Sequence, residues 1–256
     1  MNLKQKLATS TLTLGSWVTI GHPSVVEILS QAGFEWLTID MEHSPIGFET
    51  AQTLITVTQG CGMQSLVRVG RNDELIIKRV MDSGADGVIV PMVNSADDAR
   101  RAVASAKYPP QGRRGVGLAR AQKYGTGFDE YRARLEDEAV VIVQIEHVDA
   151  VRDIDSILAV DGVDGVIIGP YDLSGSMGRP GDFDCDEMKQ AIADVEDACR
   201  RAGKPAGYHV IESDPASLQK RIDAGFTFLA YSLDFFFLGD AARKGMDCIR
   251  TNQEQK

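Results

Sequence analysis

The sequence predicts a closed (β/α)8 TIM barrel, and three observations carry that expectation. Short apolar runs alternate with amphipathic helical stretches along the whole chain, and eight such pairs are present. Two of the runs, Val140 to Glu146 and Val163 to Asp172, are apolar bursts that end in a carboxylate, as in strands covered on both faces of a parallel sheet. The joins are short, which suits parallel strands linked by right-handed helical crossovers. An open doubly wound sheet is the main competitor. The count of eight and the lack of a Gly-x-Gly-x-x-Gly element after the first strand argue against its nucleotide-binding version.

The elements follow in order. Thr13 to Ile20 reads as the first strand, broken by Gly21-His22-Pro23-Ser24. Ser24 caps a helix through Val25, Val26, Ile28 and Leu29, and Gly33 closes it. Phe34 to Asp40 is the second strand; it runs into the polar segment Asp40-Met41-Glu42-His43-Ser44-Pro45 before a helix from about Phe48 to Gln59. Gln64 to Val69 is the third strand, with Arg68 near its end, and Asp73 to Ser83 is a helix stopped by Gly84. Asp86 to Pro91 is the fourth strand, and Ala96 to Ala106 the fourth helix. From 108 to 128 the periodicity lapses, and this stretch holds Arg113, Arg114, Arg120, Lys123 and Tyr124. An ordered basic loop over an active site and a plain surface insertion both fit it. Asp129 to Leu135 is a short helix.

Val140 to Glu146 and Val163 to Asp172 contain the fifth and sixth strands, with a helix from Asp149 to Leu158 between them. Phe183 to Arg201 holds a long helix, and Pro205 to Val210 is the seventh strand. Pro215 to Ala224 is helical with proline in its first turn. Phe226 to Ser232 is the eighth strand, and Phe235 to Lys244 the last helix. Phe235, Phe236 and Phe237 suit either core packing or a subunit contact. The expectation is one barrel domain over residues 1–256.

Composition narrows the function classes. The formal net charge is -10, which disfavours general nucleic-acid binding but leaves room for an anionic small substrate held by a local arginine. Cys61, Cys185, Cys199 and Cys248 are scattered, with no zinc-type spacing, as in a reduced cytoplasmic protein. No run has membrane length and no signal peptide is evident, so no membrane role is expected.

Barrels of this kind place function at the C-terminal ends of the strands. The polar residues there are Asp40 and His43, Arg68, Glu146, Asp172, His209, Ser232 and Asp234. Glu146 and Asp172 end neighbouring strands, where two carboxylates repel unless a cation lies between them; oxygen-only ligands suit a hard divalent ion. Each facing water or an arginine is the alternative. Asp40 and His43 have the spacing to pair, the acid fixing the ring tautomer. Arg68 calls for an anion, either a substrate carboxylate or Glu42 or Glu146. Gly169 and Tyr171 offer backbone amides that would hold an anion, or simply form a tight turn. Neither His22 nor His209 is given a chemical role.

Together, Asp40-Met-Glu-His43-Ser-Pro, Arg68, Val90-Pro-Met-Val93, Tyr108-Pro-Pro, Arg114-Gly-Val-Gly117, Gln144-Ile-Glu146 and Gly169-Pro-Tyr-Asp172-Leu-Ser resemble the HpcH/HpaI aldolase family. These are metal-dependent class II pyruvate aldolases of 2-keto-3-deoxy acids. The resemblance runs from Leu14 to about Gly245. It implies a (β/α)8 barrel binding Mg²⁺, Mn²⁺ or Co²⁺ through Glu146 and Asp172. It implies Arg68 at the pyruvate oxygens, and His43 with Asp40 as the acid/base pair. Asp82 matches an aspartate near the subunit boundary and the site, and Gln144 a residue beside the metal ligand. A homohexamer, a trimer of dimers exchanging the last helix, is also implied. The implied reaction cleaves a 4-hydroxy-2-keto acid to pyruvate and an aldehyde. Runners-up are an acyl-CoA lyase of malyl- or citramalyl-CoA type, an oxaloacetate decarboxylase, and a non-catalytic metabolite-binding barrel. Tyr171, the Ser232-Leu-Asp234 turn and the loop from Gly117 to Gly125 depart from the common pattern and leave the aldehyde half open.

Overall fold

Eight parallel strands close into a barrel in sequence order, β1 to β8, with β1 pairing back onto β8. They are β1 Thr13–Val18, β2 Trp36–Asp40, β3 Gln64–Arg68, β4 Gly87–Val90, β5 Val140–Ile145, β6 Gly165–Ile168, β7 Ala206–Val210 and β8 Phe228–Leu233. The computed structural model describes residues 1–254, and side chains through residue 251.

Strand parity sets what each side chain meets, because successive residues point to opposite faces. Trp17, Trp36, Leu66, Ile89, Ile142, Ile167 and Phe228 fill the barrel interior. Leu37, Ile39, Val67, Val141, Val143, Ile145 and Val166 face the other way, into the layer under the helices. The interior set includes Leu3 and Leu7 of the N-terminal helix α1 (Leu3–Ala8), which packs across the end of the barrel where the strands begin. This helix has no counterpart in the sequence reading. Trp36 stacks on Phe228, ring centroids 4.5 Å apart. A side chain on Gly15 would land inside the Trp36 indole, so the neighbouring strand needs glycine there. Continuing the inward parity upward brings Asp40, Arg68, Gln144, Glu146 and His209 to the C-terminal rim, all of them buried.

The outer helices are α2 Pro23–Ser30, α3 Phe48–Gly60, α4 Glu74–Asp82, α5 Ala96–Ala106, α6 Phe128–Glu138, α7 Val148–Arg152, α8 Ile154–Leu158, α9 Pro170–Ser176, α10 Asp186–Ala202, α11 Pro215–Asp223 and α12 Asp234–Glu254. Four differ from expectation. His22, rather than Ser24, caps α2; its Nδ1 accepts the Ser24 amide, because Pro23 already occupies the first helical position. The helix expected from Asp149 to Leu158 is split at Asp153 into α7 and α8. The turn after β6 is itself a helix, α9, with Gly169 as its N-cap and Asp172 in its first turn. The last helix extends to Glu254 rather than Lys244.

The stretch from 108 to 128 is neither a loop over the site nor a free surface insertion. It follows the C-terminal end of α5 and so lies at the rim where strands begin. Arg114 is buried there, its guanidinium 4.2 Å from the Tyr108 ring centroid and bonded to the Tyr131 hydroxyl at 2.8 Å. Arg120 donates to the Ser83 carbonyl and to Gln59, both at 3.0 Å. A short 3₁₀ turn, Arg120–Gly125, places Lys123 against Glu130 at 2.6 Å.

Candidate active site

A cavity of about 310 Å³ opens at the C-terminal rim, bordered by Asp40, His43, Arg68, Gln144, Asp172 and His209. Among the described residues Arg68 is the single lysine or arginine lining it, and it is committed to acids of the chain. Its Nε and Nη2 donate to the two Asp40 oxygens at 3.0 and 2.7 Å, a bidentate fork. Its Nη1 lies 3.2 Å from Glu42 Oε2 as an ion pair without hydrogen-bond alignment. β2 and β3 make this geometry directly, since Asp40 and Arg68 are facing partners in the ladder.

The expected Asp40–His43 side-chain pair is not formed. Asp40 accepts the backbone amides of Glu42 and His43 at 3.0 and 3.3 Å, while both its oxygens hold Arg68. Burial alone would raise the Asp40 pKa. The Arg68 bonds and charge, helped by those two amides, hold it below the ordinary value instead. The His43 side chain is 63% exposed at the rim, with Nε2 3.9 Å from Glu42 Oε2. The acid facing the ring is therefore Glu42.

Glu146 is fixed on three sides. Met92, held at φ 51 in the left-handed region, turns its amide onto Oε1 at 2.5 Å. Gln144 Nε2 donates to Oε2 at 2.6 Å, leaving Gln144 Oε1 buried without a partner. A Cβ on Gly169 would sit 2.7 Å from Gln144 Nε2 and 3.3 Å from Glu146 Oε2, so the first residue after β6 must be small. The Gly169 amide donates to the Ile145 carbonyl at 3.1 Å and is consumed by the barrel. Of the two amides expected to receive an anion, Tyr171's remains. The Tyr171 ring is half exposed and meets Phe183 edge-on, centroids 4.9 Å apart.

The electrostatics are lopsided. Asp40, Glu42 and Glu146 share the guanidinium of Arg68, and Asp172 adds its charge to Glu42 and Glu146. Burial pushes Glu146 up to about 7, and the charges of Glu42 and Asp172 add to this against the Met92 amide and Arg68. Burial also lifts Glu42 to about 7, with Asp40 and Asp172 adding and Arg68 opposing. A divalent cation would relieve both. Oxygen donors alone, with an unpartnered Gln144 carbonyl nearby, suit a hard ion. Among the described residues no group of three or more His, Cys, Asp or Glu side chains is gathered for metal binding. Glu146 and Asp172 are the rim carboxylates that could hold such an ion.

Asp82 lies elsewhere. It ends α4 at the opposite rim, near Arg114, with Gln122 Nε2 3.4 Å from its Oδ1. Burial raises its pKa despite the Arg114 charge. Among the described residues no lysine borders the cavity: Lys123 and Lys204 are both at the far rim, the latter donating to the Leu158 and Val160 carbonyls. Asp234 is a structural anchor, accepting from the Thr19 amide and hydroxyl and the Ile20 amide at 2.7–2.8 Å. The sequence reading missed the Met92 amide and His209. The Met92 amide had no signal in sequence; His209 was signalled by its inward parity on β7.

The sequence profile of the HpcH/HpaI aldolase/citrate lyase family matches residues 13–241. A hydroxypyruvate/pyruvate aldolase of Roseovarius nubinhibens is 38% identical over 97% of this chain and 96% of its own length. A 5-keto-4-deoxy-D-glucarate aldolase of Klebsiella pneumoniae is 34% identical over 96% of both chains. Among solved structures, an HpcH/HpaI aldolase from Desulfitobacterium hafniense superposes with a TM-score of 0.89 at 34% identity, covering 98% of this chain and 97% of that one.

Proposed function

The chain belongs to the HpcH/HpaI aldolase/citrate lyase family, and on that premise we propose that it is a divalent-metal-dependent pyruvate aldolase. It reversibly cleaves a 4-hydroxy-2-keto acid, such as a 2-keto-3-deoxy sugar acid, to pyruvate and an aldehyde. Relatives named as hydroxypyruvate/pyruvate, 5-keto-4-deoxy-D-glucarate and 4-hydroxy-2-oxo-heptane-1,7-dioate aldolases support this reaction class. The observation that carries the reading is a rim with too little positive charge: buried Asp40 and Glu146 and half-buried Glu42 act on Arg68, and exposed Asp172 adds its charge to Glu42 and Glu146.

A divalent cation held by Glu146 and Asp172, whether Mg²⁺, Mn²⁺ or Co²⁺, would polarise the 2-keto oxygen and stabilise the negative charge that develops there. Gln144 and the Met92 amide hold Glu146 in place for it. Arg68 adds a fixed positive charge, already oriented by Asp40, so little reorganisation is needed as charge builds. His43 takes the proton from the C4 hydroxyl, with Glu42 as the acid facing its ring. The C3–C4 electron pair becomes the enolate of pyruvate, the aldehyde departs, and a proton returned to C3 completes pyruvate. Tyr171 borders the space for the aldehyde half.

The assembly is a homohexamer, a trimer of dimers. Exposed Phe235, Leu238, Met246 and Ile249 on α12 support a subunit contact there. Asp82, remote from its own pocket, is assigned to a subunit boundary. Four free cysteines support a reduced cytoplasmic setting. Among the described residues no helix is long and apolar enough to cross a membrane. An acyl-CoA lyase has less support than the aldolase: among the described residues Arg68 is the one lysine or arginine lining the cavity and acids of the chain hold it, leaving Lys220 and Arg221 of the adjoining cavity as the nearest cations for CoA phosphates. Pyruvate release from a panel of 4-hydroxy-2-keto acids, beside oxaloacetate and CoA thioesters, tests the reading. Turnover of thioesters alone would refute it.

A further inference from the structure

We propose that His209 is a specificity residue, accepting a hydrogen bond from a hydroxyl on the carbon next to a reacting carbonyl, in the keto acid or in the aldehyde. The proposal rests on the keto acid aldolase reading above. His209 points inward from β7 and is 8% exposed. Its ring stacks on Trp17, centroids 4.3 Å apart and planes 18° from parallel. The ring borders the site cavity and also an adjoining one of about 240 Å³, so it stands between them.

The backbone decides the tautomer. Nε2 lies 3.2 Å from the Ser232 carbonyl, which can only accept, so Nε2 carries the proton and Nδ1 the lone pair. Ser232 is built to aim that carbonyl. It sits at φ 55, where the β1–β8 register slips, and its own hydroxyl donates to the Ile211 carbonyl at 3.0 Å. The ring also stays neutral. Burial lowers its pKa to about 3, and the Arg68 charge works the same way, against the Ser232 carbonyl and Asp40. A neutral ring of fixed tautomer is a permanent acceptor. Among the described residues Nδ1 has no hydrogen-bond partner. On the site-cavity side Ile211, Leu233, Phe235 and Phe236 are apolar and offer it none, and the polar groups of the adjoining cavity, Glu212 and Ser217 among them, form no bond to it. A ligand hydroxyl satisfies this atom, and a methyl or hydrogen in its place does not.

The test is kcat/KM for pyruvate and hydroxypyruvate, each with acetaldehyde and with glycolaldehyde, in wild type and in His209→Phe. Phenylalanine keeps the stack on Trp17 and lacks the acceptor. The hydroxylated-to-deoxy ratio should fall roughly 10- to 100-fold in the variant. The arm in which it falls identifies the half that carries the hydroxyl. Ratios unchanged in both arms overturn the proposal. A wild type that turns over none of the four pairs and exchanges no pyruvate methyl protons with metal present would instead refute the aldolase reading. Nitrogen-15 NMR of histidine-labelled wild type decides the matter without the variant. The His209 Nδ1 resonance, recognised by its neutral form persisting at pH 5, should move upfield with hydroxypyruvate or glycolaldehyde and not with both deoxy partners. No such difference overturns the proposal.

Discussion

Alanine at Gly169 and at Gly175 should have opposite consequences, although both glycines belong to the stretch that follows β6. Gly169 has φ -95 and ψ 96, which alanine adopts without strain, so any effect comes from space. Its new Cβ would lie 2.7 Å from Gln144 Nε2. Ordinary contact is about 3.5 Å, so the amide must retreat by roughly 0.8 Å. That movement bends or breaks its 2.6 Å bond to Glu146 Oε2. A hydrogen bond to a charged group is worth about 1.5–3 kcal/mol, or roughly 10- to 150-fold in metal affinity or kcat/KM. Loss of a residue that orients a metal ligand costs a similar factor, about 10- to 100-fold. The fold should tolerate the change, because the obstructing atom is the end of a flexible side chain. Around Gly175 a Cβ meets nothing within 4 Å, and alanine there should stabilise α9 by about 0.5–1 kcal/mol with activity retained. Calorimetric metal titration, steady-state kinetics and thermal melts on both variants give the comparison. Wild-type metal affinity and kcat/KM in Gly169→Ala, or equal impairment in both variants, would refute the geometry.

Other expectations follow from the same contacts. Glu146→Gln and Asp172→Asn should each weaken metal binding, measured by calorimetry, while circular dichroism stays native; unchanged affinity in both would remove the metal assignment. His43→Ala should lose roughly 10²–10⁴ in the chemical step by single-turnover kinetics while still binding pyruvate. Asp40→Asn should act through Arg68 instead, raising the KM for the keto acid and costing up to about 3–5 kcal/mol of stability; a loss confined to kcat would restore the Asp40–His43 pair. His209 adds a pH dependence. Its folded pKa, about 3, is below the unfolded value, so the unfolded chain binds the extra proton. The stability from a neutral His209 is full above pH 6.5 and is lost as pH falls towards 3. Between pH 6.5 and 4.5 wild type should lose about 2 kcal/mol more than His209→Phe in urea unfolding; parallel losses would mean the ring titrates normally.

Much of this was legible in the chain because a barrel converts sequence order into position. Val140 to Glu146 and Val163 to Asp172 read as neighbouring strands, and their acids do meet at one rim. What failed was the choice of partner. Asp40 and His43 are close in sequence, but Asp40 and Arg68 face each other across the β2–β3 ladder with both side chains inward, and the guanidinium fork claims both oxygens. Strand parity with register would have found that pair. Basic residues between Arg113 and Lys123 suit a cover over the site or a surface insertion, whereas the chain leaves α5 at the opposite rim, where aromatic rings hold Arg114, a carbonyl and Gln59 hold Arg120, and Glu130 holds Lys123. The α9 helix hid in a Gly-Pro-Tyr-Asp stretch that reads equally as a turn. The Met92 amide on Glu146 depends on a left-handed φ at a non-glycine residue, which no local pattern announces.

Proton exchange at the methyl group of pyruvate tests the central claim most directly, since it needs the metal, Arg68 and enolate formation but no knowledge of the aldehyde. The protein is stripped with a chelator, moved into D₂O with pyruvate, and followed by proton NMR before and after adding Mg²⁺, Mn²⁺ or Co²⁺ singly. The methyl signal should persist in the stripped protein, decay once an effective ion is added, and persist again in Glu146→Gln. Exchange at the same rate in verifiably metal-free protein would contradict the account.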